Sequence, residues 1–103
     1  MAEKNIPEIT IAEFQQLIRD RYYPTDSARG APGTFLWFAE EFGELAQAIA
    51  EHHRGDEGSR ERLEEEFADV LAWLTTLANI TGIDLTEAVH RKYLDNGGPE
   101  GTK

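Results

Sequence analysis

The stretch Phe38-Ala-Glu-Glu-Phe-Gly-Glu-Leu45 is echoed twenty-five residues later by Leu63-Glu-Glu-Glu-Phe-Ala-Asp-Val70. Each copy sets two acids three residues apart beside an apolar stripe: Glu41 with Glu44, and Glu66 with Asp69. On a helix that turns ~100° per residue, such a pair lies on one side, one turn apart. Two such helices packed face to face bring four carboxylates together, and that concentration of like charge calls for cations. Carboxylate oxygens are hard ligands suited to Mg²⁺ or Mn²⁺, and three or four around a cavity hold one or two ions. Ions held there polarise a phosphoryl oxygen, lower the pKa of a bound water and neutralise a leaving pyrophosphate. The matching reaction class is phosphoric-anhydride hydrolysis. The competing explanation is a pair of solvated acidic helix flanks.

Four helices with short connections are expected to position these acids, giving an all-α fold. Thr10-Ile-Ala-Glu13 is a capping-box pattern opening a first helix with Ile11, Phe14, Leu17 and Ile18 on one side, ending near Tyr23 because Pro24 follows. Residues 24–33, rich in Pro, Gly, Ala, Asp and Ser, read as a loop. Thr34 can cap a second helix to about His53, with Phe38, Phe42, Leu45 and Ile49 as its core-facing stripe. Arg54-Gly-Asp-Glu-Gly58 reads as a turn, with Asp56 or Ser59 capping a third helix. There Leu63, Phe67, Val70, Leu74 and Leu77 make the equivalent stripe, and Gly82 ends it. Asp84-Leu-Thr-Glu87 starts a short fourth helix, and a mobile tail is expected from about residue 96. The tight turn pairs helices two and three as an antiparallel hairpin. Measured from the centre of each stripe, Glu41 matches Glu66 and Glu44 matches Asp69, so both pairs border the buried face.

Trp37 lies four residues before Glu41, and Trp73 four residues after Asp69, so each is on its helix's acid-bearing side. A ring there could stack on a nucleobase, for ~1–3 kcal/mol per base; it could equally pack at the edge of a core or a dimer interface. A ferritin-like metal pair needs Glu-x-x-His from two helices, and only Glu87-Ala-Val-His90 fits. His52 and His53 suit a helix end, where a cation offsets the dipole. No Walker-type phosphate loop or Ser-His-Asp arrangement is present.

The bulk properties narrow the partners. At 103 residues the chain reads as one domain spanning 1–103, near the size where small bundles benefit from oligomerising. Twenty acids against ten Lys and Arg give a formal charge of −10, which excludes binding a nucleic-acid backbone through a basic face. A phosphorylated small molecule can still bind where metal ions supply the positive charge. Cysteine is absent, so thiolate metal sites and disulfides are excluded. No apolar run approaches the ~20 residues that span a bilayer. With no signal-peptide pattern either, a cytoplasmic location and no membrane partner are expected.

Glu40-Glu41-Phe-Gly-Glu44 followed by Glu66-Phe-Ala-Asp69 resembles the MazG-like all-α nucleoside triphosphate pyrophosphohydrolases. Leu77-Ala-Asn-Ile-Thr-Gly-Ile-Asp-Leu85 and Arg91-Lys-Tyr93 are similar to that family's third-helix end and fourth helix, so the resemblance covers roughly Thr34 to Tyr93. It implies a four-helix bundle whose core is completed by homo-oligomerisation, as a homodimer or homotetramer. It also implies hydrolysis of a nucleoside triphosphate to the monophosphate and pyrophosphate with Mg²⁺, or Mn²⁺ in its place. Glu41, Glu44, Glu66 and Asp69 are the implied metal ligands, and Glu40 assists a ligand or activates water. Lys92 is expected to reach a phosphate, and Asn79 the sugar or a phosphate. Residues 26–33 are expected to recognise base or sugar, with Arg29 gripping a phosphate and Trp73 on the substrate. The biological role implied is sanitising the nucleotide pool or lowering a signalling or noncanonical nucleotide. The rival expectation is a non-catalytic helical interaction module that keeps the fold.

Overall fold

The computed structural model describes residues 5–98, and every regular element among them is helical. Helix α1, Ile11–Arg54, opens at Thr10 as the sequence predicts. The Glu13 N–H donates to the Thr10 hydroxyl at 3.0 Å, and the Thr10 N–H donates to the Glu13 carboxylate at 2.8 Å. The pair satisfies two backbone donors that a helix start leaves open.

The helix does not stop at Tyr23, and residues 24–33 are not a loop. The chain stays helical through Pro24 and breaks at one residue, Gly30, with φ 81° and ψ 169°. Proline's fixed φ suits a helix; its cost is the missing bond to the carbonyl four residues back. Here that residue is Asp20, and both Asp20 and Pro24 lie on the exposed side. An i, i+3 ion pair one turn on, Arg29 Nη2 to Asp26 Oδ1 at 2.7 Å, braces the segment. Gly30 takes a backbone conformation that a residue with a Cβ adopts only under strain. Pro32 follows in the first turn of the second limb, where no intrahelical N–H is needed. Thr34, expected as a cap, is instead a fully buried residue inside that limb. The expected first and second helices are therefore two limbs of α1, residues 11–29 and 31–54.

Gly55, left-handed at φ 79°, closes α1 by donating to the Glu51 and His52 carbonyls. Helix α2, Ser59–Thr81, starts from Gly58 without a side-chain cap. The expected cap Asp56 pairs with Arg54 at 2.9 Å instead, and Ser59 is already the first helical residue. Arg62 Nε to Glu51 Oε1 at 2.8 Å clasps the turn. Gly82 ends α2 as predicted, at φ 73°. Asp84 caps α3, Leu85–Val89, accepting from the Glu87 N–H at 3.1 Å. A π-helical turn, His90–Leu94, and a 3-10 turn, Asp95–Gly97, follow. The last turn reaches the expected start of the tail, most of which, residues 99–103, lies outside those described.

Both limbs of α1 lie against α2, the second folded back on it through the Gly55–Gly58 turn. At the far end Gln15 is a latch. Its Nε2 donates to Asn79 Oδ1 at 3.1 Å and to the Ile83 carbonyl at 2.7 Å, and its Oε1 accepts from the Leu85 N–H at 3.0 Å. Asn79 Nδ2 donates back to the Gln15 carbonyl at 3.2 Å.

Ile18, Phe38, Ala48 and Ala78 are the buried apolar residues, and Thr34, Thr75, Thr76, Asp26, Asn79 and Ser59 are buried with them. The two predicted core stripes are only part buried. Phe38 is covered, but Phe42 and Ile49 remain 48% exposed, Phe67 56% and Leu74 43%. Among the described residues α2 packs chiefly against α1. Among the described residues no helix is long and apolar enough to cross a membrane.

Candidate active site

The second limb of α1 and the first half of α2 bring three of the four predicted ligands together. One carboxylate oxygen each from Glu41, Glu66 and Asp69 lies within 4.8 Å of the others. Glu66 and Asp69 are one turn apart on α2, and Glu41 faces them from α1, so the i, i+3 geometry does what its spacing predicts. Glu44, one turn beyond Glu41, is exposed and stands outside the trio. Its charge still acts on both Glu41 and Glu66. Glu40 is exposed beside Glu41.

Two oxygens of the trio, Glu41 Oε2 and Glu66 Oε2, are sealed from solvent with no hydrogen-bond partner. A buried carboxylate oxygen without a donor is costly, because nothing replaces the water it gave up. Loss of water is the main cause that raises the Glu41 pKa from 4.5 to about 7, with the charges of Glu44, Asp69 and Glu66 adding to it. Glu66 is raised as well, first by burial, then by Glu44 and Asp69. No cationic side chain pairs with these acids among the described residues. A hard divalent cation fits this donor set: it takes oxygen ligands, and it would satisfy both orphaned oxygens and the repulsion at once.

A cavity of about 330 Å³ lies farther along α2, between it and the first limb of α1. Trp73, four residues beyond Asp69, forms one wall, half-buried, and Ile18, Tyr22, Thr25, Asp26 and Arg29 form much of the rest. Arg29 is held through two of its three nitrogens and against an aromatic ring. Its Nη2 donates to Asp26 Oδ1 at 2.7 Å, its Nε donates to Thr34 Oγ1 at 2.9 Å, and its guanidinium lies 5.1 Å from the Trp73 ring centroid. Gly33 leaves the room for it: a Cβ there would sit 3.1 Å from Arg29 Cγ.

The remaining predicted residues are scattered. Asn79 is buried at the other end of α2 with its amide committed to Gln15. Lys92 is exposed on the π-helical turn, its Nζ 5.7 Å from the Tyr93 ring centroid. Trp37 is 53% exposed. Glu87, the acid of the Glu-x-x-His match, pairs with Arg91 at 2.8 Å. Sequence reasoning missed Asp26 and Thr34 as partners of Arg29. The Asp26–Arg29 spacing is visible in the chain, but it carries meaning only once residues 24–29 are known to be helical.

Two comparisons bear on this arrangement. The MazG nucleotide pyrophosphohydrolase domain matches residues 32–94, a span holding all the clustered acids. The chain is also similar to the dATP/dGTP diphosphohydrolase of Cyanophage S-2L, 33% identical over 87 residues that cover 84% of this chain and 73% of that protein.

Proposed function

Because the chain belongs to the MazG nucleotide pyrophosphohydrolase family, we propose that it hydrolyses nucleoside triphosphates to the monophosphate and pyrophosphate with a divalent cation, Mg²⁺ or Mn²⁺. The observation that carries this reading is the convergence of Glu41, Glu66 and Asp69, with two carboxylate oxygens buried and unpartnered. These three residues would hold the cation, with Glu44 joining from the rim once repulsion is relieved. When bound, the cation offsets the charge of the triphosphate and of the departing pyrophosphate.

The protein's own groups have separate tasks. Glu41, with its pKa near 7, gives up its proton as the site fills, so the trio becomes fully anionic only when that charge is compensated. Glu40, next to Glu41 in sequence, would assist a metal ligand or accept a proton from the attacking water. Trp73 and the cavity beside it take the nucleoside end, which leaves the phosphates toward the acids. Lys92 and Asn79 have no contact with the acids within the described residues, so any role for Lys92 needs α3 and the π-helical turn to approach the site, or a second subunit to supply it.

A homo-oligomer is part of this reading. The exposed Phe42, Ile49, Phe67, Leu71 and Leu74 are the apolar stripes of two adjacent helices, and a second copy of the same face would bury them. A role in removing unwanted nucleotides from the pool accords with the reaction.

The test is a panel of ribo- and deoxyribonucleoside triphosphates incubated with Mg²⁺ and the products separated. Monophosphate with pyrophosphate is the expected outcome. Diphosphate with orthophosphate would leave a hydrolase attacking a different phosphorus. No turnover, with no response to Mg²⁺, would favour a helical interaction module.

A further inference from the structure

One cation shares a cavity with the clustered acids. Arg62 lies one turn before Glu66 on α2, and both line a space of about 280 Å³ with Glu44, Gln47, Ala48 and Glu51. Arg62 Nε donates to Glu51 Oε1 at 2.8 Å, and neither Nη1 nor Nη2 has a partner among the described residues. The Glu51 side chain is 19% exposed and that of Arg62 47%, so the carboxylate holds one edge of the guanidinium and leaves the other open. The open edge carries two parallel N–H donors, a geometry that fits two oxygens of a phosphate. The rest of the cavity is acidic, and each acid has a counter-charge to take. Glu51 is paired with Arg62, and Glu44 and Glu66 are implied ligands of the divalent cation. An anion is therefore accepted there only once the cation is bound.

Arg62, Glu66, Asp69 and Trp73 follow one another along α2 at spacings of four, three and four residues. At ~100° and ~1.5 Å per residue they fall within ~60° of one another and extend over ~16 Å. The acids occupy the middle of this stripe, with the Trp73 cavity at one end and the Arg62 cavity at the other. A nucleoside triphosphate has the same order of parts: a flat ring, the phosphorus that is attacked, then two terminal phosphates. Lys92 and Arg29 do not line the Arg62 cavity, so Arg62 is its cationic donor among the described residues. Resting on the reading that the acids cleave nucleoside triphosphates, we propose that Arg62 is a substrate-binding residue for the two phosphates that leave as pyrophosphate. The substrate then lies along α2 with its base toward Trp73.

The test is calorimetric titration of the whole protein with inorganic pyrophosphate and, separately, with a nucleoside monophosphate, each with saturating Mg²⁺ and with chelator. The wild type should bind pyrophosphate only with Mg²⁺. Arg62→Gln should weaken that binding by at least about tenfold, as loss of a charge-assisted contact to phosphate does. Monophosphate binding, which engages the other end of the stripe, should stay within about twofold. Glu51→Ala removes the same clasp at the turn but keeps the guanidinium, and should weaken pyrophosphate binding by no more than about threefold. If a melting curve shows that Arg62→Gln does not fold, Arg62→Met, which keeps an apolar stem without the charge, takes its place. Pyrophosphate binding of wild-type strength in a folded neutral variant would overturn the assignment. An equal loss in Glu51→Ala would do so too, because it would mark Arg62 as a structural clasp alone. A matching loss of monophosphate binding would put Arg62 on the wrong phosphate, and no pyrophosphate binding by the wild type would remove the contact altogether. Each of those results leaves triphosphate turnover to be judged on its own. Pyrophosphate binding that depends on Arg62, in a protein that turns over no triphosphate, would keep the contact and remove the hydrolase.

Discussion

Glu41 gathers the chemistry of the site into one residue. Its carboxyl is held at about 7 in the folded protein against 4.5 ordinarily, by burial first and then by Glu44, Asp69 and Glu66. Across that window the folded state binds more protons than the unfolded chain, so without metal this group makes stability fall as pH rises from about 4.5 to about 7. Glu66 shifts in the same direction and adds to the slope. Melting curves in chelator should therefore show a Tm that drops over this range. Glu41→Gln, neutral and nearly the same size, should flatten much of that drop. Mg²⁺ reverses the sign, because the cation competes with the proton for the same oxygens. The rise in Tm at fixed Mg²⁺ should grow as pH increases through 7 and should shrink sharply in Glu41→Gln. A Mg²⁺ response identical in the two proteins would mean that the ion acts by general screening.

At the scale of the element, the break of α1 at Gly30 separates the limb that carries Arg29, which lies over the Trp73 ring of α2, from the limb that carries Glu41. Gly30→Ala forces a Cβ into φ 81°, ψ 169° and should cost about 1–3 kcal/mol in denaturant unfolding. Thr10→Ala removes the capping box and should cost about 1 kcal/mol, without touching turnover. Much of this was legible in the chain. The Thr10 and Asp84 caps, the Gly82 stop and the meeting of Glu41 with Glu66 and Asp69 follow from local chemistry and helical periodicity, which act over a few residues. The helix through Pro24 was not legible, because a proline reads as a stop unless one knows that the carbonyl it frees faces solvent. The Arg29–Asp26–Thr34 arrangement was hidden by that same reading. The pairing of Asn79, expected from the resemblance to contact sugar or phosphate, with Gln15 sixty-four residues away was not legible either, because nothing in its sequence neighbourhood points to that partner.

For the whole molecule, an 11.6 kDa chain with half-exposed Phe42, Ile49, Phe67 and Leu74 leaves an apolar face that single soluble domains seldom keep open. Sedimentation should find an assembly of at least two copies. Phe67→Lys, which sets a charge in that face, should shift the protein toward monomer; a wild-type monomer at micromolar concentration would remove the oligomer from the account. The formal charge of −10 makes copies repel, so association should strengthen as salt is raised from low ionic strength. The measurement closest to the central claim is the rate of triphosphate hydrolysis against free Mg²⁺, for the wild type and for Glu66→Gln. The account predicts a saturable rise in the wild type and a loss in the variant greater than the ~10–100-fold that removing an outer-shell partner of a metal costs. A Glu66→Gln protein that turns over at the wild-type rate with the same Mg²⁺ dependence would contradict it.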